Sequence, residues 1–460
     1  MGRTHVLSTN VSPSRPADDA QAAPIPTVAL LVWGILYDED FLDLIGVSLE
    51  AFATDMTGGY LFNYVEALRF AGIRTVVVLV ARRVHRPTRL IHKATGATIL
   101  ALPASPLHRP FRWLARNRRA RRVFDRFPWI RETLDEVSSY LSTPARTFMR
   151  ELRRERCGAL ICQEYEYARF DACVLLGRCM GIPVFATFQG GKRLWGTLQR
   201  FARPIALRHC AALIIGPRQE IQRVQAHYGV PDAKIARIFN PIDADALQVT
   251  PRAEARAALN LPDEARVVVW HGRVARYQKG LDVLLDAWER ICRDRPDVDL
   301  RLLMVGTGYD ADWLRQRIAE TNPRGIHWRD EFIHDRRVLR LHLSAADAYA
   351  FPSRHEGFPV SPIEAMACGV PLVAAAADGV PDILEDGEAS GGLIVPIDDA
   401  DSLASALGSV LDDRDWAQRL GQASQRRVRA RFSPDVVGRQ LARFLLDHGL
   451  VAPQADLRRP

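Results

Sequence analysis

The stretch IRTVVVLVA, from Ile73 to Ala81, decides how the rest of the chain is read. It is β-branched and apolar almost throughout, with no polar residue after Thr75. A strand with one wet face alternates apolar and polar positions. This run does not alternate, so both of its faces are expected to be covered, as in a parallel sheet flanked by helices. The neighbouring segments fit that picture. LFNYVEALRFAG (61–72) sets Leu61, Val65, Leu68 and Phe70 near helical spacing and stops at Gly72. Before it, TVALLVWGIL (27–36) is a second unbroken apolar run of ten residues, about half a membrane span and well suited to a buried strand.

The alternation continues downstream. ALICQ (159–163), a helix near ARFDACVLLGRCM, IPVFATFQ (182–189), AALIIG (211–216), a helical stretch ending at Tyr228 and Gly229, and KIARIFN (234–240) follow in turn. NPIDADALQVTPRAEA (240–255) is polar, contains Pro and has weak periodicity, and reads as a connection. A second series then begins. ARVVVWHGR (265–273), the helix KGLDVLLDAWERICRD (279–294), RLLMVGTG (301–308), GIHWRDEF, DAYAFPS (347–353), the short helix PIEAMAC and PLVAAAA (371–377) repeat strand, helix, strand. Two doubly wound α/β domains are expected, with ligands bound beyond the carboxyl ends of the strands. The divisions are a disordered tail over 1–26, a first domain over 27–245 with an arginine-rich insertion at 109–131, a second domain over 246–430, and a terminal helix and tail over 431–460.

Composition agrees with a soluble globular protein of more than one core: 460 residues, 48% apolar and 25% charged. The seven cysteines form no CxxC pair, so reduced thiols in a cytosolic compartment are expected. The net charge is +8. Between Arg109 and Arg131 lie nine arginines and one acid, Asp125, a local excess equal to that of the whole chain.

Four short motifs carry the chemistry. In RHEGFPVSPIEAMACGVP (354–371), Glu356 and Glu364 are separated by seven residues. Ser361-Pro362-Ile363-Glu364 matches a capping box, with Pro362 at the first helical position. Glu356 follows the strand DAYAFPS, where a carboxylate can accept hydrogen bonds from sugar hydroxyls. Arg273 and Lys279, between the strand VVVW and the next helix, suit a diphosphate: the guanidinium grips it bidentately and the ammonium adds a point charge. Thr57-Gly58-Gly59-Tyr60 opens a helix with two glycines, allowing close backbone approach to phosphate or sugar. Each motif has an ordinary alternative: a helix cap, a solvated loop charge, a surface cation pair, a common GG turn.

In their order, these segments resemble the GT-B glycosyltransferases of family 4, the retaining group also called glycosyl transferases group 1. GRVARYQKGLD, RLLMVGTG and AADAYAFPSRHEGFPVSPIEAMACGVPLVAA resemble its Gly-Arg…Lys-Gly segment, its Val-Gly-x-Gly turn and its Glu-x7-Glu signature. The resemblance implies a GT-B fold, two Rossmann-like domains facing across a cleft, with the terminal helix of 431–460 crossing back to the first domain. It implies transfer of a sugar from a nucleotide diphosphate sugar to an acceptor hydroxyl, with the leaving phosphate accepting the acceptor's proton and no metal or other cofactor required. Arg273 and Lys279 would bind the diphosphate and stabilise the leaving charge, and Glu356 would contact the transferred sugar. Backbone groups of Gly357, Phe358, Val360 and Ser361 would hold sugar and phosphate. Glu364 would accept from the ribose hydroxyls, backbone around Phe332 and Ile333 would touch the base, and Gly58 and Gly59 would approach the phosphates across the cleft. On the acceptor side the chain departs from the family. Gln189 stands where many members place a His, and the strand ALICQ leads to Gln163 and Glu164. Glu164 is a candidate base or a solvated glutamate; Gln189 can hydrogen-bond but cannot exchange a proton. Pro359 also lacks an N–H that another residue could donate. The Asp-x-Asp at Asp243 and Asp245 falls in the connection and reads as coincidence.

The insertion PFRWLARNRRARRVFDRFPWI (110–130) interleaves arginine with Phe111, Trp113, Phe124, Phe127 and Trp129, and Pro110 and Pro128 bracket a helix. Such a segment suits an anionic membrane surface, and lipid-linked acceptors are common in the resembled family. A cytoplasmic protein, peripheral at the inner membrane face, is the expectation, with an unknown acceptor and no nucleic-acid partner. A nucleotide-sugar epimerase of the same fold and a non-catalytic membrane-surface scaffold are the competing readings.

Overall fold

The computed structural model describes residues 25–36, 47–54, 56, 59–115, 117, 124, 126–191, 196–243, 249–321 and 323–451. The first sheet contains β1 (Thr27–Leu36), β2 (Arg74–Ala81), β3 (Thr88–Ile91), β4 (Thr98–Pro103), β5 (Ala159–Cys162), β6 (Val184–Thr187), β7 (Ala212–Ile214) and β8 (Ile235–Ala236). Their order is β3-β4-β2-β1-β5-β6-β7-β8. All pairs are parallel except β3 with β4. β2 is buried from Thr75 to Ala81, as its unbroken apolar run requires. Val77 and Leu79 face one core cluster, Val76 and Val78 the other.

The second sheet contains β9 (Arg266–His271), β10 (Leu300–Val305), β11 (Ile326–Arg329), β12 (Ala348–Phe351), β13 (Leu372–Ala375) and β14 (Gly392–Val395), in the order β11-β10-β9-β12-β13-β14. It is parallel throughout. In each sheet the winding reverses beside the first strand, between β1 and β5 and between β9 and β12. Crevices open at such switch points, beyond the carboxyl ends of the strands. The helix Pro434–Asp447 returns to the first domain, where Val437, Leu441 and Leu445 enter its core. It lies so close to the helix Gly59–Phe70 that a Cβ on Gly438 would meet the Ala67 carbonyl oxygen at 2.1 Å.

Three local features differ from the sequence reading. The β3–β4 hairpin is additional: β3 is a short edge strand whose residues alternate between partly buried and exposed. The connection read as 240–255 ends earlier, because a helix, Arg252–Ala258, starts after Pro251. Its weak periodicity is overridden by an ionic anchor. Arg256, 1% exposed, bonds Asp347 at 2.9 Å, and Arg252 bonds the same carboxylate at 2.6 Å. Pro110 and Pro128 do not bracket one helix. Pro110 lies in the first turn of His108–Ala115, and Pro128 opens a second helix, Pro128–Leu141. A proline is tolerated in a first turn, where N–H groups have no intrahelical partner. In the segment between, Arg116, Arg118, Arg119, Arg121, Arg122 and Asp125 lie outside the described residues, as do Gly58, Asp245 and residues 1–24.

Candidate active site

The β9–β12 switch point gathers most of the predicted donor residues. β9 ends at His271 and leads through Gly272 to Arg273; β10 ends at Val305 and leads into Gly306. At Gly306 φ is +133°, and a Cβ would lie 1.9 Å from the Gly272 carbonyl oxygen, so only glycine lets the two strand ends meet. Beside them is a cavity of ≈ 200 Å³. Its walls include His271, Arg273, Thr307, Phe332, Ile333, Arg336 and Glu364, with Met56 from the first domain.

Glu364 does not cap its helix. The helix Ser361–Ala367 has Val360 as its N-cap, without a side-chain cap bond, and the Glu364 N–H donates to the Val360 carbonyl at 3.0 Å. The capping-box reading fails because stronger partners claim the carboxylate. Arg336 Nη2 donates to Oε1 at 2.7 Å, and His271 Nε2 pairs with Oε2 at 3.0 Å. Burial alone would raise this carboxyl, but the His271 hydrogen bond and the Arg336 charge outweigh it and hold it below the ordinary carboxylate range. A carboxylate only accepts, so Nε2 carries the proton. Glu364 is therefore an ionised, braced acceptor in the cavity wall.

Lys279 and Glu356 pair with each other. Lys279 Nζ donates to Glu356 Oε1 at 2.6 Å, with the side chains 14% and 8% exposed. Lys279 closes the short helix Arg276–Lys279, and Gly280 behind it sits at φ +59°. The Arg354 guanidinium, two residues before Glu356, is clamped by both Asp282 carboxylate oxygens at 2.8 and 3.1 Å. The loop that carries Glu356 is thus pinned on both sides.

The next residues of this loop meet the first domain. A Cβ on Gly357 would lie 2.2 Å from the Gly190 amide nitrogen. Phe358 is 4% exposed and stacks on Phe239, with ring centroids 5.0 Å apart. Its carbonyl accepts from Asn240 Nδ2 at 3.2 Å. Val360 and Ser361 follow at the mouth of the helix, and Gly59 opens the helix Gly59–Phe70.

On the first-domain side, Gln189 and Asn240 exchange amide hydrogen bonds, at 3.1 Å from Gln189 Nε2 and 2.9 Å from Asn240 Nδ2. Gln189 Nε2 also bonds Thr187 Oγ1 at 3.0 Å. Glu164 is not solvated; it is 2% exposed. One oxygen accepts from the N–H groups of Tyr165 and Glu166 at 2.8 and 3.0 Å, the other from those of Gln189 and Gly191 at 3.0 and 2.7 Å. Burial pushes its carboxyl up to about 7 against these four bonds. The group ties the turn after β5 to the turn after β6.

His271, Arg336 and Asn240 are missing from the sequence reading. His271 carried a signal, a polar residue closing the apolar strand VVVW. Arg336 carried none, since nothing in sequence connects it to Glu364.

Residues 265–413 match the model of the family described as glycosyl transferases group 1. The second domain belongs to that family. Curated relatives match about half of this chain. The chain is 30% identical over 217 residues to a D-inositol 3-phosphate glycosyltransferase of Thermobifida fusca, covering 46% of this chain and 49% of that one. It is 31% identical over 228 residues to the lipopolysaccharide core biosynthesis mannosyltransferase LpsB of Rhizobium meliloti, covering 48% and 62%. The match thus spans about half to three-fifths of these relatives' own lengths. Across both domains the fold is GT-B. A sucrose-phosphate synthase from Thermosynechococcus elongatus superposes with a TM-score of 0.66 at 22% identity over 92% of this chain and 98% of that one. Anabaena HepE in complex with UDP gives 0.64 at 16% identity over 92% and 100%.

Proposed function

We propose that the protein is a retaining glycosyltransferase that moves a sugar from a nucleotide diphosphate sugar to an acceptor hydroxyl. The observation that carries this reading is the cavity walled by Arg273 and the braced Glu364 at the switch point, with the Lys279–Glu356 pair on the segments that follow β9 and β12. Breaking the sugar–phosphate bond places negative charge on the diphosphate and positive charge on the sugar. Arg273 and Lys279 neutralise the first, fixed in place before the reaction. Glu356, beside Lys279, faces the second. Glu364 accepts from the ribose hydroxyls, and backbone near Phe332 and Ile333 meets the base. The acceptor's oxygen attacks from the side of the leaving group, and its proton passes to the departing phosphate oxygen. No protein nucleophile, metal or other cofactor enters this scheme.

Thermal-shift titration with UDP, GDP and ADP tests the reading. A ligand at about a hundred times its Kd adds about 2.7 kcal/mol of stability, a clear rise in Tm. No rise with any of the three would count against a nucleotide donor. Release of nucleotide from a donor sugar only when an acceptor is present would establish transfer.

A second observation favours an acceptor at an anionic membrane surface. Trp113 and Trp129 are 68% and 62% exposed on the packed helices His108–Ala115 and Pro128–Leu141. Phe201 and Ile205 are exposed on the helix Thr197–His209, which packs beside the latter. Apolar side chains flanked by arginines suit the boundary between headgroups and acyl chains. Among the described residues, no helix is long and apolar enough to cross a membrane. The exposed tryptophans beside arginines support a peripheral position for the protein, proposed on the cytoplasmic face.

A further inference from the structure

One ionic cluster lies away from the donor cavity and joins the two domains. Its centre is Asp382, 5% exposed, in the short helix Val380–Ile383 of the second domain. Both carboxylate oxygens accept from the backbone N–H of Arg218, at 3.3 and 3.2 Å, where the first-domain helix Arg218–Tyr228 begins. Oδ1 also accepts from Arg237 Nη2 at 2.8 Å, just after β8. Glu385 extends the cluster: it pairs with Arg218 and, at 3.1 Å, with Arg427. The second-domain partners also hold the helix itself, since Arg427 Nη2 donates to the Asp382 carbonyl at 3.0 Å.

This cluster backs the loop that carries Glu356. Gly379, one residue before the Asp382 helix, sits at φ +81°, and a Cβ there would meet the Gly357 carbonyl oxygen at 2.7 Å. Arg237 lies over the Phe239 ring at 5.0 Å, and Phe239 stacks on Phe358. Asp382 therefore grips the first domain with its side chain while its neighbours support the sugar-facing loop.

We propose that Asp382 is a positioning residue: by latching Arg218 and Arg237 it seats the first domain against the Gly357–Phe358 loop and fixes the distance between acceptor and donor sites. The kinetic part rests on the glycosyl-transfer reading; the geometric part does not. Asp382→Ala removes both contacts of the latch and, from the opposite domain, Arg237→Gln removes its side-chain arm while the Arg218 N–H bonds stay; neither residue lines the donor cavity. Small-angle X-ray scattering of the full chain is expected to give a larger radius of gyration for both variants than for the parent protein. Circular dichroism identifies a variant that has failed to fold; Arg237, at the edge of the interface, then carries the test alone. In the transfer assay kcat should fall by about tenfold while KM for the nucleotide sugar changes less than about twofold, because the second domain still binds the donor. A folded Arg237→Gln protein with parental scattering and parental kcat overturns the proposal. Expansion of both variants in a protein that transfers no sugar leaves the latch standing and sinks the glycosyl-transfer reading instead.

Discussion

Replacing Lys279 with Met tests the centre of the site, because it removes the charge and keeps most of the side chain's bulk. At 2.6 Å and an effective dielectric of about 20, the gross attraction between Lys279 and Glu356 is about 6 kcal/mol. Desolvation of two groups that are 14% and 8% exposed offsets much of it. What the single variant leaves is a buried carboxylate without its cation, which typically costs about 3–5 kcal/mol. Lys279→Met should therefore lower unfolding free energy by about that amount, as read from urea denaturation. Adding Glu356→Gln removes the orphaned charge, and a double-mutant cycle should show a coupling of about 2–3 kcal/mol. The double variant, restored in stability, then isolates binding. Loss of a charge-assisted contact of about 1.5–3 kcal/mol should weaken nucleoside diphosphate affinity by roughly 10- to 100-fold in calorimetry. Single variants that each cost less than about 0.5 kcal/mol, with no coupling, would refute the buried-pair reasoning. An unchanged affinity would remove Lys279 from the diphosphate site.

Other outcomes are expected. Glu164 has a carboxyl raised to about 7 in the folded chain, so between its unfolded value and 7 the folded state binds the extra proton. Stability should fall as pH rises through that window, by up to about 3 kcal/mol, and Glu164→Gln should flatten the dependence measured by denaturation. Glu364 is depressed instead, so its contribution is present above the ordinary glutamate value and lost as pH falls through its lower folded one. Arg336→Leu should cost about 1.5–3 kcal/mol at pH 7, and that gap should narrow below about pH 4 in the same assay. Gly357→Ala would place a Cβ 2.2 Å from the Gly190 nitrogen. It should cut transfer by about a hundredfold while calorimetry still shows nucleotide binding. Flotation with anionic vesicles should carry the protein upward, and Trp113→Ala with Trp129→Ala should leave it in the dense fraction; absence of binding by the parent protein would sink the membrane proposal.

The parts of the fold that rest on unbroken apolar runs were legible. β2 and β9 announce burial on both faces, and that alone demands crossover helices and a parallel sheet. β3 was not legible, because four residues at an edge carry almost no pattern. The helix Arg252–Ala258 was hidden for another reason: its stability comes from Asp347, roughly ninety residues away in sequence. The site divides similarly. Arg273, Lys279, Glu356 and Glu364 stand at strand ends and helix starts, so their residue types and places show in one dimension. Their partners do not. Ser361 and Glu364 satisfy a local rule for capping, yet His271 and Arg336 arrive from β9 and from the start of the helix Arg336–Ser344 and win the carboxylate. For Glu164 the sequence leaves a base and a solvated glutamate both open, because nothing local reveals that four amides converge on it.

The returning helix Pro434–Asp447 has a consequence for biosynthesis. The first domain is translated first, but Val437, Leu441 and Leu445 of its core are made only after the whole second domain. At about 5–20 residues per second, the nascent first domain waits many seconds with the face of the Gly59–Phe70 helix uncovered. The core residues of the second domain all precede Pro434, so that domain can close while this helix is still in the exit tunnel. A stop codon just before Pro434 would spare every donor-site residue and still deprive the first domain of its last core helix.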